Sequence, residues 1–105
     1  MVEYLTINDT SYPVIINFFV IGEFQKETGY SFDSLKDLQN NLYLVEPLLY
    51  HSIRVGQIVS RVPVTITRED MPILLSDNKT YENFFTTITK FFPEQTEKVK
   101  ATKKK

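Results

Sequence analysis

The chain opens on a period of two. Val2, Tyr4 and Thr6, then Tyr12, Val14 and Ile16, form two short runs rich in β-branched and aromatic residues, separated by Asn8-Asp9-Thr10-Ser11. That arrangement predicts a β-hairpin, because Asn and Asp tolerate left-handed backbone and bond to nearby amides at a tight reversal. Pro13, near the start of the second run, suits an edge position. From Asn17, a suitable helix cap, the period changes: Val20, Ile21, Phe24 and Thr28 lie at helical spacing, with Glu23 and Lys26 facing away. Gly29 follows as a terminating glycine, so a first helix is expected from about 18 to 28.

Further on, Leu35, Leu38, Leu42, Val45, Leu49 and Ser52 alternate at three and four residues, and Leu44, Leu48 and Tyr50 widen the stripe. A segment apolar on most sides belongs in the middle of a domain. Asn40-Asn41 and Pro47 interrupt it, which predicts either a kink or a short helix near 33 to 40 followed by a longer one ending at Gly56. Gln57 to Ile66, with Pro63 between valines, reads as an extended connector. Thr67-Arg68-Glu69-Asp70 resembles a capping box ahead of a short helix from about 68 to 75, ending at Ser76-Asp77-Asn78. Tyr81, Phe84, Phe85, Ile88, Phe91 and Phe92 give the clearest amphipathic stripe, with Thr86, Thr87, Thr89 and Lys90 taking the other positions and Pro93 as the stop. The fold class expected is α+β, mainly α: an N-terminal β-hairpin followed by a small bundle of four or five helices.

At 105 residues, 42% of them hydrophobic, the chain fits one domain, assigned to 1–93. The absence of cysteine excludes disulfides, thiolate metal sites and a cysteine nucleophile. The longest apolar stretch, Pro13 to Ile21, is too short for a membrane span and contains Asn17, and Met1-Val2-Glu3 is acidic where a signal peptide is basic. Charge is uneven. Residues 94–105 carry five lysines and two glutamates, leaving seven basic and eleven acidic residues in 1–93. An acidic body repels a phosphate backbone, so nucleic acid is a poor partner. The tail, with Val99 and Ala101 as its apolar residues, cannot offset the entropy of ordering and is expected to be a disordered lysine-rich segment.

Catalytic and metal chemistry find little support. His51 is the one histidine, and no His-x3-His or acidic calcium-loop pattern accompanies it. Its neighbour Ser52 points about 100° away on a helix, so the two are not set to share a proton. The carboxylate pairs Glu23/Glu27, Asp33/Asp37 and Glu69/Asp70 occupy helix starts or polar faces, where capping and solvation account for them. No catalytic residue, metal ligand, cofactor or small-molecule substrate is assigned. The unusual feature is eight phenylalanines and six tyrosines in so short a chain. A domain of this size buries only about 60 to 70% of its unfolded surface, so some rings stay outside. Phe19, off the face set by Val20, Ile21 and Phe24, and Tyr43, off the leucine seam, are the candidates for exposure. With Tyr50 they form the expected partner-binding set.

Taken in order, the hairpin Tyr4 to Val14, the helix closing in Phe24-Gln25-Lys26-Glu27-Thr28-Gly29-Tyr30-Ser31-Phe32, the segment Leu48-Leu49-Tyr50-His51-Ser52-Ile53-Arg54-Val55-Gly56, and Thr67-Arg68-Glu69-Asp70-Met71 before an aromatic amphipathic helix resemble the tail assembly chaperones of long-tailed bacteriophages. The resemblance spans most of residues 4–92. It implies a non-enzymatic chaperone that coats the apolar tape measure protein, helps recruit tail tube protein, self-associates as a homo-oligomer, works in the host bacterial cytoplasm and is absent from the mature virion. Many members of that family are also made as a longer frameshifted product, and Lys103, Lys104 and Lys105 would be compatible with an adenine-rich slippery stretch. An alternative is a small adaptor or regulatory domain that binds protein or nucleic acid through its basic tail, with those three lysines as contacts.

Overall fold

The structure, a computed structural model, describes residues 1–92. It is mainly helical, with an antiparallel two-stranded hairpin at the N-terminus. Strand β1 (Glu3–Ile7) pairs with β2 (Thr10–Val14) in the register Glu3↔Val14, Leu5↔Tyr12 and Ile7↔Thr10. Asn8 and Asp9 have φ of 51° and 67°, so the reversal is a two-residue turn with both central residues left-handed, the geometry that follows the natural twist of the strands. Leu5, Ile7 and Val14 face the core, while Tyr4 and Thr6 face solvent, the Thr6 hydroxyl 3.0 Å from that of Ser11.

Helix α1 (Phe18–Thr28) has the predicted bounds. Asn17 Oδ1 accepts the Val20 amide at 2.9 Å, and Gly29, at φ 78°, donates its amide to the Gln25 carbonyl at 2.8 Å. The leucine-rich region resolves into the second of the two expected alternatives. A 3₁₀ segment, Phe32–Asn40, breaks at Asn41; another, Leu42–Leu44, leads into α2 (Val45–Val59). Pro47 lies in the first turn of α2, where its missing N–H had no intrahelical partner, so it opens the helix instead of kinking it. Leu42 departs from the expected seam and is exposed. A 3₁₀ turn advances three residues per turn, and the break at Asn41 resets the phase that the three-four spacing assumed.

The expected end of this helix at Gly56 is corrected. Helix α2 continues to Val59 and closes beyond it: Arg61, at φ 60°, donates to the Ile58 carbonyl and Val62 to that of Gln57, both at 3.1 Å. This is the paired closure that usually employs glycine at the left-handed position. Gly56 instead lets β2 come close. A Cβ there would fall within the contact radius of the Pro13 carbonyl oxygen, 2.6 Å from its carbon and 2.9 Å from Val14 Cα. The connector therefore starts after the helix, at Ser60. Gln57, buried, holds it through its side-chain amide, whose oxygen accepts the amides of Thr65 (3.2 Å) and Ile66 (3.4 Å).

A 3₁₀ turn (Arg68–Asp70) then leads into α3 (Met71–Leu74), and the Asp70 carboxylate accepts the Thr67 amide at 2.9 Å, the carboxylate half of the predicted box. Asp77 caps α4 (Asn78–Phe91) by accepting the Lys79 amide. Counting each 3₁₀ segment with the α-helix it runs into, five helices follow the hairpin among the described residues. Phe84 and Ile88 are buried, and Tyr81, Phe85, Phe91 and Phe92 pack against the core from its margin. Thr87, expected on the polar face, is buried too, its hydroxyl satisfied by the Asn83 carbonyl at 2.8 Å. Pro93 and the tail 94–105, including Lys103, Lys104 and Lys105, lie outside the described residues.

Candidate functional site

The densest polar arrangement joins α1, α2 and the 3₁₀ turn at Arg68. Its guanidinium donates to both carboxylate oxygens of Glu46, Nε to Oε2 at 2.7 Å and Nη2 to Oε1 at 2.8 Å. It also donates to Glu27, with Nη1 3.1 Å from Oε1 and Nη2 on Oε2, and lies 4.6 Å from the centroid of the Tyr50 ring. A planar fork suits two carboxylates and an aromatic face at once, which a lysine ammonium does not. Arg68 holds the Glu27 carboxyl below the usual glutamate range, assisted by the His51 ring and opposed by partial desolvation. The two carboxylates in turn push the Arg68 guanidinium upward, Glu46 foremost.

His51 is buried, with Nε2 2.8 Å from Glu27 Oε1. A carboxylate only accepts, so Nε2 carries the proton. Nδ1 is buried without a hydrogen-bond partner among the described residues. Ser52 turns away from His51 and donates to the Leu48 carbonyl at 2.7 Å. The carboxylate pairs noted in the sequence also separate. Glu23 meets Lys26 while Glu27 meets Arg68, Asp33 meets Lys36 while Asp37 accepts from Asn40, and Asp70 serves the Thr67 cap. In this arrangement Glu46 accepts from Arg68, and Glu27 from both Arg68 and His51, so the cluster works as a clasp across three elements. A cleft of about 220 Å³ lies elsewhere, between the hairpin tip and α3, lined by Ile7, Tyr12, Ile66 and Ile73 among others. Among the described residues no three His, Cys, Asp or Glu side chains converge as a metal ion would require, and no helix is long and apolar enough to cross a membrane.

The residues singled out for partner binding fall in three places. Phe19 is 59% exposed on the first turn of α1, beside Phe18 at 86%. Tyr43 is 62% exposed and pairs edge-on with Tyr30, the ring centroids 6.3 Å apart and the hydroxyls 2.7 Å apart; that hydrogen bond pushes the Tyr43 phenol upward. Tyr50 differs. It is half-buried, packed against the core, with one ring face under Arg68. The structure thus brings Tyr50, but neither Phe19 nor Tyr43, into the clasp.

Three features escaped sequence reasoning. Phe18 is one, although its place directly after the Asn17 cap, before the buried Val20, signals an outward direction. Ile58, Val59, Val62 and Val64, aliphatic and without a single helical or alternating period of their own, are about half-exposed at the end of α2 and along the connector. The clasp is the third, its partners lying 22 and 41 residues apart, beyond any local period. No family model matches the chain, and no curated protein or solved structure matches it either.

Proposed function

We propose that the protein is a non-enzymatic phage tail assembly chaperone that binds the tape measure protein and assists tail tube assembly, acting in the host cytoplasm as a homo-oligomer and leaving before the virion is complete. The observation that carries this reading is the pairing of a closed core with large apolar side chains left outside it. Val20, Phe24, Leu48, Ile53 and Phe84 are fully buried, yet Phe18, Phe19 and Tyr43 stand mostly in solvent. Burial of such rings is worth about 1.5–3 kcal/mol each, so exposed rings on a small domain are a reserve of binding energy for another chain. A long apolar helical client offers the matching need, and several copies along one client gain from multivalency.

The test is co-expression with the long coiled-coil product expected of a neighbouring gene, followed by affinity capture of this chain. Co-purification of that product supports the reading. Capture of nucleic acid instead, retained at low salt and lost at high salt, sinks it in favour of a basic-tail adaptor.

A further inference from the structure

We propose that the cleft between the hairpin tip and α3 is a seat for one lysine side chain of another polypeptide. The inference rests on the reading that the chain binds protein, and it adds a contact with its own place and chemistry. The cleft exists because the core face of the hairpin is longer than its cover. Ile7 pairs with Thr10 and Leu5 with Tyr12, so these four side chains share the face on which Leu5 and Ile7 are buried. Helix α2 meets the hairpin at Pro13, Val14 and Ile15, at the end away from the turn. The turn end is left to Thr65, Ile66 and α3, and a helix of four residues fills little of it. Leu74 is buried, whereas Ile73 is 63% exposed at the cleft.

Size and lining choose the occupant. The volume of about 220 Å³ is below the roughly 300–1,000 Å³ of small-molecule sites and above the roughly 150 Å³ that admits a benzene-sized group, so it suits one long side chain. Ile7, Ile66, Ile73 and Leu74 supply apolar wall, and Asp70 is the one charged residue of the lining. Only half of the Asp70 carboxylate serves the fold. Oδ2 accepts the Thr67 amide at 2.9 Å and meets the Thr67 hydroxyl at 3.1 Å, while Oδ1 accepts no hydrogen bond among the described residues. A lysine answers both parts of this lining, with its methylene stem along the isoleucines and its ammonium at the free oxygen. Arginine answers it less well, because the guanidinium fork matches two carboxylate oxygens and one is taken by Thr67. Eleven acidic against seven basic residues in 1–93 favour a cation over an anion as well.

The experiment titrates the full ¹⁵N-labelled chain with short synthetic peptides identical apart from a central lysine, arginine, norleucine or glutamate. The expected result is amide shifts centred on 7–10, 65–66 and 70–74. The lysine peptide should bind about fivefold more tightly than the norleucine peptide, the upper end for a partly exposed ion pair, with the advantage shrinking as salt is added. Asp70→Asn, whose amide oxygen can still accept from Thr67, should erase the preference for lysine over norleucine with a dispersed spectrum that certifies folding. Ile73→Ser, which changes an exposed wall and leaves the cap alone, should weaken both peptides together. Equal binding of lysine and norleucine, tighter binding of arginine, or shifts centred on the Arg68 clasp would overturn the proposal. Nuclear Overhauser contacts from Ile73 to the chain's own lysines, without peptide shifts, would overturn it in favour of self-occupancy. Failure here stays distinct from failure of the function. Client capture without a peptide preference removes the cleft alone, whereas a lysine preference without client capture retains the cleft and removes the client.

Discussion

Replacing Gly56 by alanine should be among the most damaging single-methyl changes available in this chain. An added Cβ would lie 2.6 Å from the Pro13 carbonyl carbon and 2.9 Å from Val14 Cα, where ordinary contact is 3.4–4 Å. Both obstacles are backbone, so no rotamer change relieves them, and β2 must back away from α2 by roughly 1 Å. That motion loosens Val14, which is fully buried, and strains the bond from the Ile15 amide to the Ser52 carbonyl, 3.2 Å long. Overpacking of this kind costs about 1–3 kcal/mol where side chains can adjust; with rigid backbone the upper end applies, about 3 kcal/mol, against about 1 kcal/mol returned by alanine's better helix propensity. A net loss of about 2 kcal/mol lowers Tm by about 8–16 °C in a domain of this size. Gly22, in α1 with nothing within 4 Å of its would-be Cβ, supplies the control. There the same substitution should raise stability by about 0.5–1 kcal/mol. Thermal melts of the two variants decide the matter, and a Gly56→Ala protein as stable as the parent would refute the close packing of β2 on α2.

Two further outcomes follow from local geometry. Asp9→Gly should stabilise the hairpin by about 0.5–1 kcal/mol in urea unfolding, because Asp9 sits at φ 67° and glycine occupies that region without a steric penalty. Glu27, whose folded-state carboxyl titrates below its unfolded value, contributes stability that is complete above the ordinary glutamate range and is lost as pH falls through the folded value. Denaturation midpoints measured between neutral and acid pH should accordingly decline less steeply in Glu27→Gln than in the parent, and parallel curves would contradict the clasp.

Much of the fold could be read directly, since it depends on local period and punctuation. Asn17 and Gly29 bound α1 because a side-chain acceptor and a left-handed residue act on their own helix ends. Where reading failed, distant partners decided. Gly56 looks like a terminator in sequence, but its value is the approach of Pro13, forty-three positions earlier. Leu42 fits a helical seam only if the chain stays α-helical through Asn41, and it does not. Phe19 and Tyr43 were identifiable as outward-facing from phase alone. The sheltering of Tyr50 depends on Arg68, which no spacing brings to α2. Ile58 and Val59 were hidden by the assumption that the helix ended before them.

The central claim is that apolar surface left over from folding is lent to another polypeptide, and its most direct test is client solubility. The proposed client, a tape measure protein, would be co-expressed with the parent chain and with Phe18→Ser/Phe19→Ser, whose solvent-facing changes should alter stability by no more than about 0.5 kcal/mol each. The account predicts that the parent keeps the client soluble and co-elutes with it, while the variant, at nearly unchanged Tm, leaves the client in the insoluble fraction. A variant that melts with the parent and solubilises the client equally well would contradict it.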